Sequence, residues 1–391
     1  MSRPEITVLH SVGSWLERTQ TWIYTQVACL PPFVESHIVC NNTQNLDQFH
    51  LANIHSLDRE PIWRSVWDRA FRKLGYRNHL EFVLARAQAI GPDILHSHFG
   101  PLGWGNIEVV RRLGLKHVVS FYGFDVNYLP QSSKRWYQRY ADLFQHVDLV
   151  LCEGPYMAAS IEKLGCPSQK IGVHHLGVML DRIPFHPRAW SPGNVLHVLL
   201  AASFREKKGL PYALEALGRI QHQVAIAVTI IGDANAKSAA EVKEKQKILD
   251  VIERHGLRSK VKMAGFQSHE VMLRQAYLHH IYLSPSVTAA SGDTEGGAPV
   301  SIIEMAATGM PVVSTLHCDI PEVVQPGVTG LLARERDVDG LVSHMEWLIR
   351  HPDLWRPMVI KAREHVELRF SAQSQGVRLS QTYRDLVRKH T

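Results

Sequence analysis

Short apolar runs rich in β-branched residues recur along the first half of the chain, at 6–10 (ITVLH), 35–40 (ESHIVC), 93–98 (DILHSH), 116–122 (KHVVSFY) and 148–152 (DLVLC), with helix-like stretches between them. The alternation restarts at 195–203 (VLHVLLAAS), 225–233 (AIAVTIIGD), 280–286 (HIYLSPS) and 311–315 (PVVST). Strands that alternate with helices build βαβ units and parallel sheets, so the pattern predicts two α/β units. Between them, residues 181–194 carry three prolines and a glycine, which break any regular element. The expected organisation is an N-terminal domain over 1–183, a linker over 184–194, a C-terminal domain over 195–365 and a final helix over 366–391 returning to the N-terminal domain. A length of 391 residues suits two domains, each large enough to bury a core. Ligands of open parallel sheets sit beyond the carboxyl ends of the strands. Two such domains facing each other would hold theirs in a cleft, and function belongs to strand-end loops.

One loop reads most clearly. After the run at 280–286, a flexible Glu295-Gly-Gly-Ala298 stretch feeds a helix with Pro299 near its first turn and Gly309 at its end. Unpaired N–H groups and the positive end of the helix dipole make such a start a seat for a diphosphate. Glu304, about one turn inside, suits ribose hydroxyls, and Glu295 suits sugar hydroxyls; the plain alternative is two solvated acids complementing the dipole. A second cluster, Ala202-Ser-Phe-Arg-Glu-Lys-Lys-Gly209, follows the first strand of the C-terminal half. Cations there, with Lys208 and Arg205 as candidates, would neutralise a departing diphosphate without a metal.

Composition narrows the classes. The chain is 45% hydrophobic and 20% charged, as in ordinary globular proteins, and no stretch approaches a membrane span. Its start lacks the pattern of a signal peptide, so a cytoplasmic protein is expected. Five scattered cysteines give neither a disulfide framework nor a metal-ligand spacing. His174 and His175 lack a third ligand nearby and are expected to pack rather than to bind metal. A formal charge of +6 suits an anionic partner, yet no zinc-finger, RNA-binding or long basic run supports nucleic acid. Residues 62–77 place Ile62, Trp63, Val66, Trp67, Ala70, Phe71 and Leu74 at helical spacing, with Arg64, Arg69, Arg72, Lys73 and Arg77 elsewhere around the helix. This basic amphipathic helix either faces the core with a solvated basic side or docks on an anionic membrane surface.

The Lys207-Lys-Gly209 turn, Ile230-Ile-Gly-Asp233, Ala264-Gly-Phe266, the block from Glu295 to Glu304 and Cys318 to Gly330 together resemble glycosyltransferase family 4. Within it, the colanic-acid and amylovoran type exopolysaccharide transferases are the most similar. In the N-terminal half, Arg18-Thr-Gln-Thr-Trp-Ile23, His96-Ser-His-Phe-Gly100 and Ser120-Phe-Tyr-Gly-Phe-Asp125 occur in the family's order. The resemblance implies an α/β fold of the GT-B type, two Rossmann-like domains facing across a cleft. It also implies transfer with retention from a UDP- or GDP-sugar to a glycan, lipid-linked or small-molecule hydroxyl, with no metal and no further cofactor.

By the same resemblance, Lys208 is similar to the diphosphate lysine, Glu304 to the ribose-binding acid and Glu295 to the acid near the donor sugar. Gly297, Ala298 and Val300 would offer backbone contacts, Gly265 and Phe266 would hold the base, and Gly13, His98 and Asp125 would lie on the acceptor side. The pattern differs at three places. Eight residues lie between the two glutamates where the family has seven, so either the loop bulges or Glu295 is not the equivalent acid. The family's Gly-Arg pair aligns with Ala202 and Ser203, with Arg205 a candidate for the lost charge. Its histidine facing the sugar aligns with Tyr122, a poor base near neutral pH. These departures also permit a binding subunit that assists a partner transferase. A dehydrogenase is disfavoured, because neither half has a G-x-G-x-x-G turn after its first strand.

Overall fold

Val8 and Leu9 are neighbours on one strand, both fully buried, and they enter different apolar clusters. Burial of successive residues on both faces marks a parallel sheet covered by helices on each side. The computed structural model describes residues 4–16, 20–63, 66, 67, 70 and 80–388. It divides into two units, Met1–Gly177 with Ala372–Thr391, and Val178–Ser371.

The first unit contains the strands β1 (Ile6–Ser11), β2 (Val34–Cys40), β3 (Ile54–Ser56), β4 (Ile94–His98), β5 (Lys116–Ser120), β6 (Leu149–Cys152) and β7 (Ile171–Val173). They pair in parallel in the order β3-β2-β1-β4-β5-β6-β7. Helix α1 (Thr21–Ala28) follows β1, and α2 (Gly100–Leu113) follows β4 directly. Leu9, Val39 and Leu95 pack with Val109 of α2 on one face.

The second unit repeats the plan with β8 (Leu196–Ala201), β9 (Ile226–Ile231), β10 (Val261–Met263), β11 (Ile281–Ser284), β12 (Val312–Thr315) and β13 (Leu331–Ala333). Their order is β10-β9-β8-β11-β12-β13, again all parallel. Helix α3 (Leu210–Ile220) follows β8, and α4 (Val300–Thr308) follows β11. Val198 and Leu200 pack with Leu214 and Leu217 of α3, whereas Leu199 packs with Ile302 and Ile303 of α4.

The proline-rich segment expected as a linker packs inside the second unit. The buried Arg188 guanidinium donates to the carbonyls of Ala276, His279 and Thr308 at 2.9, 3.0 and 3.2 Å. Helix ends leave such carbonyls unpaired, and a cation completes them. Proline content broke the regular structure here without freeing the chain. The region 366–391 is likewise two helices: Trp355–Phe370 belongs to the second unit, Ser371 is extended, and α5 (Ala372–Arg388) packs with the first. Leu379 and Tyr383 of α5 are fully buried against Val8, Ile94 and Val118. Each such side chain stabilises the packing by about 1.5–3 kcal/mol.

The helix expected over 62–77 lies mostly outside the described residues, including Arg64, Arg69, Phe71, Arg72, Lys73, Leu74 and Arg77. Ile62, Trp63, Val66 and Trp67 are described, helical and exposed, at 81, 54, 54 and 59%.

Helix α5 approaches α1 closely at Gly376, where a Cβ would lie 2.0 Å from the Cys29 carbonyl oxygen. Gly376→Ala is therefore expected to lower stability by about 1–3 kcal/mol through overpacking. Thermal unfolding checks this, and an unchanged midpoint would show that α5 does not depend on that contact.

Candidate active site

In the second unit the strand order reverses between β8 and β11, the point at which parallel sheets bind ligands. After β8, Glu206–Lys208 forms a single 3-10 turn that ends at Gly209 with φ +65°. A Cβ on residue 209 would lie 1.8 Å from the Pro285 carbonyl oxygen, so the position demands glycine for space as well as for φ. This contact seats the β8 loop against the loop after β11. The Val287 N–H adds a tie, donating to the Lys207 carbonyl at 2.8 Å.

Charges pair across that seam. Lys208 Nζ donates to Glu295 Oε2 at 2.7 Å, and Ser286 Oγ donates to Glu295 Oε1 at 2.8 Å. Lys207 Nζ reaches Asp293 Oδ1 at 3.1 Å and the Thr294 carbonyl at 2.7 Å, while Arg205 Nη2 reaches Asp293 Oδ2 at 2.7 Å. The two acids are nearly removed from water, with side chains 6 and 9% exposed. Burial by itself would raise the Glu295 carboxyl; Lys208 and Lys207 outweigh it and hold the pKa at about 2. Glu295 is therefore ionised at neutral pH and accepts hydrogen bonds without a proton to give.

The chain turns directly after Glu295, at Gly296 with φ +80°, whose N–H donates to Thr294 Oγ1 at 3.1 Å. Gly297 and Ala298 lead to Pro299 at the cap of α4, and helix geometry leaves the N–H groups of Val300 and Ser301 without intrahelical partners. Glu304 is buried in α4, and its Oε1 lies 2.6 Å from His269 Nε2, a bond that raises the His269 pKa. Gly265, at φ +66° with open space at its Cα, and the exposed Phe266 precede the helix His269–Ala276. Ser203 is half-buried, and its carbonyl accepts from the Arg205 N–H at 2.8 Å. The fold thus joins Lys208, Arg205 and Glu295 in one network and ties Glu304 to His269.

In the first unit the order reverses between β1 and β4. Gly13, on the loop after β1, accepts from the Asn41 N–H at 3.0 Å and has open space where a Cβ would stand. His98 ends β4 fully buried, with Nδ1 2.9 Å from the Tyr122 hydroxyl and Nε2 3.2 Å from His10 Nδ1. Burial pushes His98 down to about 3 and drives the Tyr122 phenol up, so both stay neutral. Asp125 is also fully buried: its Oδ2 accepts from Gly100 N at 2.5 Å and its Oδ1 from Tyr122 N at 2.7 Å. Burial raises its carboxyl to about 7 although both N–H groups favour the anion. Its oxygens brace the start of α2 and the turn that holds Tyr122.

His10, His96 and His98 bring ring nitrogens within 4.8 Å of one another, which makes them the candidate metal donors among the described residues. The nitrogens of His98 are both engaged, with Tyr122 and His10, and its ring stacks on that of His96 at 4.4 Å and 19°. His96 also meets hydroxyls at both nitrogens, Tyr383 at 2.6 Å and Ser120 at 2.8 Å. We assign no metal to them.

The chain matches two family models, Glycosyltransferase Family 4 over residues 20–182 and Glycosyl transferases group 1 over 185–365. It is 36% identical over 290 residues to WcaL of Escherichia coli strain K12, named as a glycosyltransferase of colanic acid biosynthesis, covering 72% of this chain and 68% of that protein. The chain belongs to glycosyltransferase family 4. It is also 32% identical to the amylovoran biosynthesis glycosyltransferase AmsK of Erwinia amylovora, covering 74% of this chain and 69% of that protein. Among solved structures, Anabaena Alr3699/HepE in complex with UDP and glucose superposes with a TM-score of 0.77 at 16% identity, covering 97% of this chain and all of that one. That likeness establishes the GT-B fold of this glycosyltransferase.

Several residues of the charged network in the second unit escape sequence reasoning. Lys207 and Asp293 lie within the 202–209 and 292–304 segments, but nothing in their spacing singled them out. His317 and Glu335 follow other strands; His317 immediately precedes the recognised Cys318 motif, which was the available signal.

The Glu295 carboxyl titrates below its ordinary value of 4.5. A depressed carboxyl pKa contributes stability that is present above the unfolded value and lost as pH falls through the folded one. The difference in urea midpoint between the wild type and Glu295→Gln should therefore narrow from about pH 5 towards about pH 2. A difference independent of pH over that window would show that the carboxylate charge does not hold the loop.

Proposed function

We propose that this transferase moves a sugar, with retention at the anomeric carbon, from a UDP- or GDP-sugar to a hydroxyl of a growing exopolysaccharide, and that it needs no metal. The observation that carries this reading is the Lys208–Glu295 pair at the strand-order reversal, beside the start of α4. A nucleotide diphosphate placed there would meet Lys208 and the unpaired N–H groups of Val300 and Ser301, which favour the charge that develops on the leaving group. Arg205 adds positive charge to the same loop. The ionised Glu295 would accept from sugar hydroxyls, Glu304 from ribose, and residues 265–266 would flank the base. The first unit would take the acceptor near Gly13, His98 and Tyr122.

A proton must leave the acceptor hydroxyl. Tyr122 is held neutral by burial and cannot be the base, and His98 is buried with both nitrogens engaged. In a front-face displacement the departing phosphate oxygen takes that proton, so the missing histidine is tolerated. Names such as colanic acid and amylovoran biosynthesis among the relatives support a glycan acceptor.

Transfer is measured by chromatography after UDP- and GDP-sugars are screened by thermal shift, with and without EDTA. Lys208→Ala should lose roughly a hundredfold or more in turnover while remaining folded at the assay temperature, with an unfolding midpoint lowered because the buried Glu295 loses its partner. Near-normal turnover would remove Lys208 from the mechanism, and activity abolished by EDTA and restored by a divalent ion would sink the metal-free reading.

The exposure of Ile62, Trp63, Val66 and Trp67 favours membrane docking over a core-facing helix. Each Lys or Arg near an anionic leaflet contributes about 1 kcal/mol, so the basic residues of 62–77 would give reversible, salt-sensitive attachment. Co-sedimentation with anionic but not neutral vesicles is expected, and it should fall when Arg64, Arg69, Arg72 and Lys73 are changed to Glu. Equal binding to both vesicle types would exclude this surface.

A further inference from the structure

His317 lies in the loop after β12 and its side chain is 1% exposed. Its Nδ1 is 2.6 Å from Glu335 Oε1, and its Nε2 is 3.1 Å from the backbone nitrogen of Glu295. These two partners settle the tautomer. Burial would raise the Glu335 carboxyl, but hydrogen bonds from His317 and Thr288 hold it below its ordinary value, so it accepts and Nδ1 must carry the proton. A backbone N–H can only donate, so Nε2 presents its lone pair to Glu295. Glu335 is itself fixed by Thr288, whose N–H donates to Oε2 at 2.7 Å and whose hydroxyl donates to Oε1 at 3.2 Å.

The result is a series of contacts across four strand ends. Glu335, after β13, orients His317; His317, after β12, holds the backbone of Glu295; and Glu295, after β11, holds Lys208, after β8. We propose that His317 is a positioning residue: as the neutral Nδ1–H tautomer it fixes the backbone of Glu295 so that the carboxylate stands where a donor sugar is recognised. The inference rests on the donor-site reading above and adds that the loop's preference for the sugar, as distinct from the nucleotide, depends on a ring that touches no substrate. The imidazolium could not do this, because its Nε2–H would oppose the Glu295 N–H. Cys318 Sγ, 3.2 Å from Nε2, and Lys208 beyond Glu295 are the other titratable groups at this place.

The test has a ligand-free arm and a ligand arm. In the full-length chain, hydrogen exchange of the segment 293–297 should quicken roughly tenfold in His317→Leu, the scale of one lost hydrogen bond, with β9 unchanged. His317→Gln, whose amide oxygen can accept in place of Nε2, should recover part of the protection, and Glu335→Gln should weaken it. Long-range nitrogen–proton spectra should show the His317 signal, identified by its loss in His317→Gln, with Nδ1 protonated. Equal exchange in wild type and His317→Leu, or a proton on Nε2, overturns the proposal. In the second arm, UDP, GDP, UDP-glucose and GDP-mannose are titrated into each variant. His317→Leu should keep the affinity for the free nucleotide and lose roughly tenfold of any preference for its sugar conjugate, with partial recovery in His317→Gln. Parallel loss for nucleotide and conjugate reduces His317 to a merely structural role and overturns the proposal. Absence of binding by the wild type would instead sink the donor-site reading, leaving the exchange and tautomer results to decide whether His317 holds the loop.

Discussion

Two carboxylates taken out of water, Asp293 and Glu295, set the terms for the charged seam of the second unit of this glycosyltransferase. A buried anion costs several kcal/mol unless a cation and further hydrogen bonds meet it. Arg205, Lys207 and Lys208 supply the cations, and Ser286 and the seating of Gly209 on the Pro285 carbonyl complete the geometry. Lys207 and Asp293 join the two loops in a site where Lys208 and Glu295 are expected to exchange partners with a ligand.

The first unit solves a different problem at the same topological place. His10, His96, His98, Tyr122 and Asp125 are polar groups buried at strand ends, and nearly all of their polar atoms find partners within the unit. His10 Nε2 is buried without a hydrogen-bond partner. Burial keeps the histidines and the phenol neutral.

Much of the architecture is legible in the sequence. Runs such as 195–203 and 225–233 are apolar on both faces, and only a parallel sheet covered by helices gives residues like Val198 and Leu199 opposite apolar neighbours. Glycines at 209 and 309, with Pro299 between, marked where elements start and stop, because φ and steric limits are local properties. The pairing of the 202–209 and 292–304 segments followed from topology, since strand ends collect at one edge.

What the chain by itself determined is thus the periodicity of burial, the punctuation and the kinds of charge near each strand end. Only the tertiary structure decided which charges meet. Arg188 looked like part of a linker and proves to complete helix ends, because its partners, Ala276, His279 and Thr308, are distant in sequence. Glu304 looked free to meet ribose and is found against His269, and His317 reaches Glu295 across a strand boundary. Contacts of this kind depend on register and loop path, which are set by the packing of the whole unit and leave no fixed spacing in the sequence.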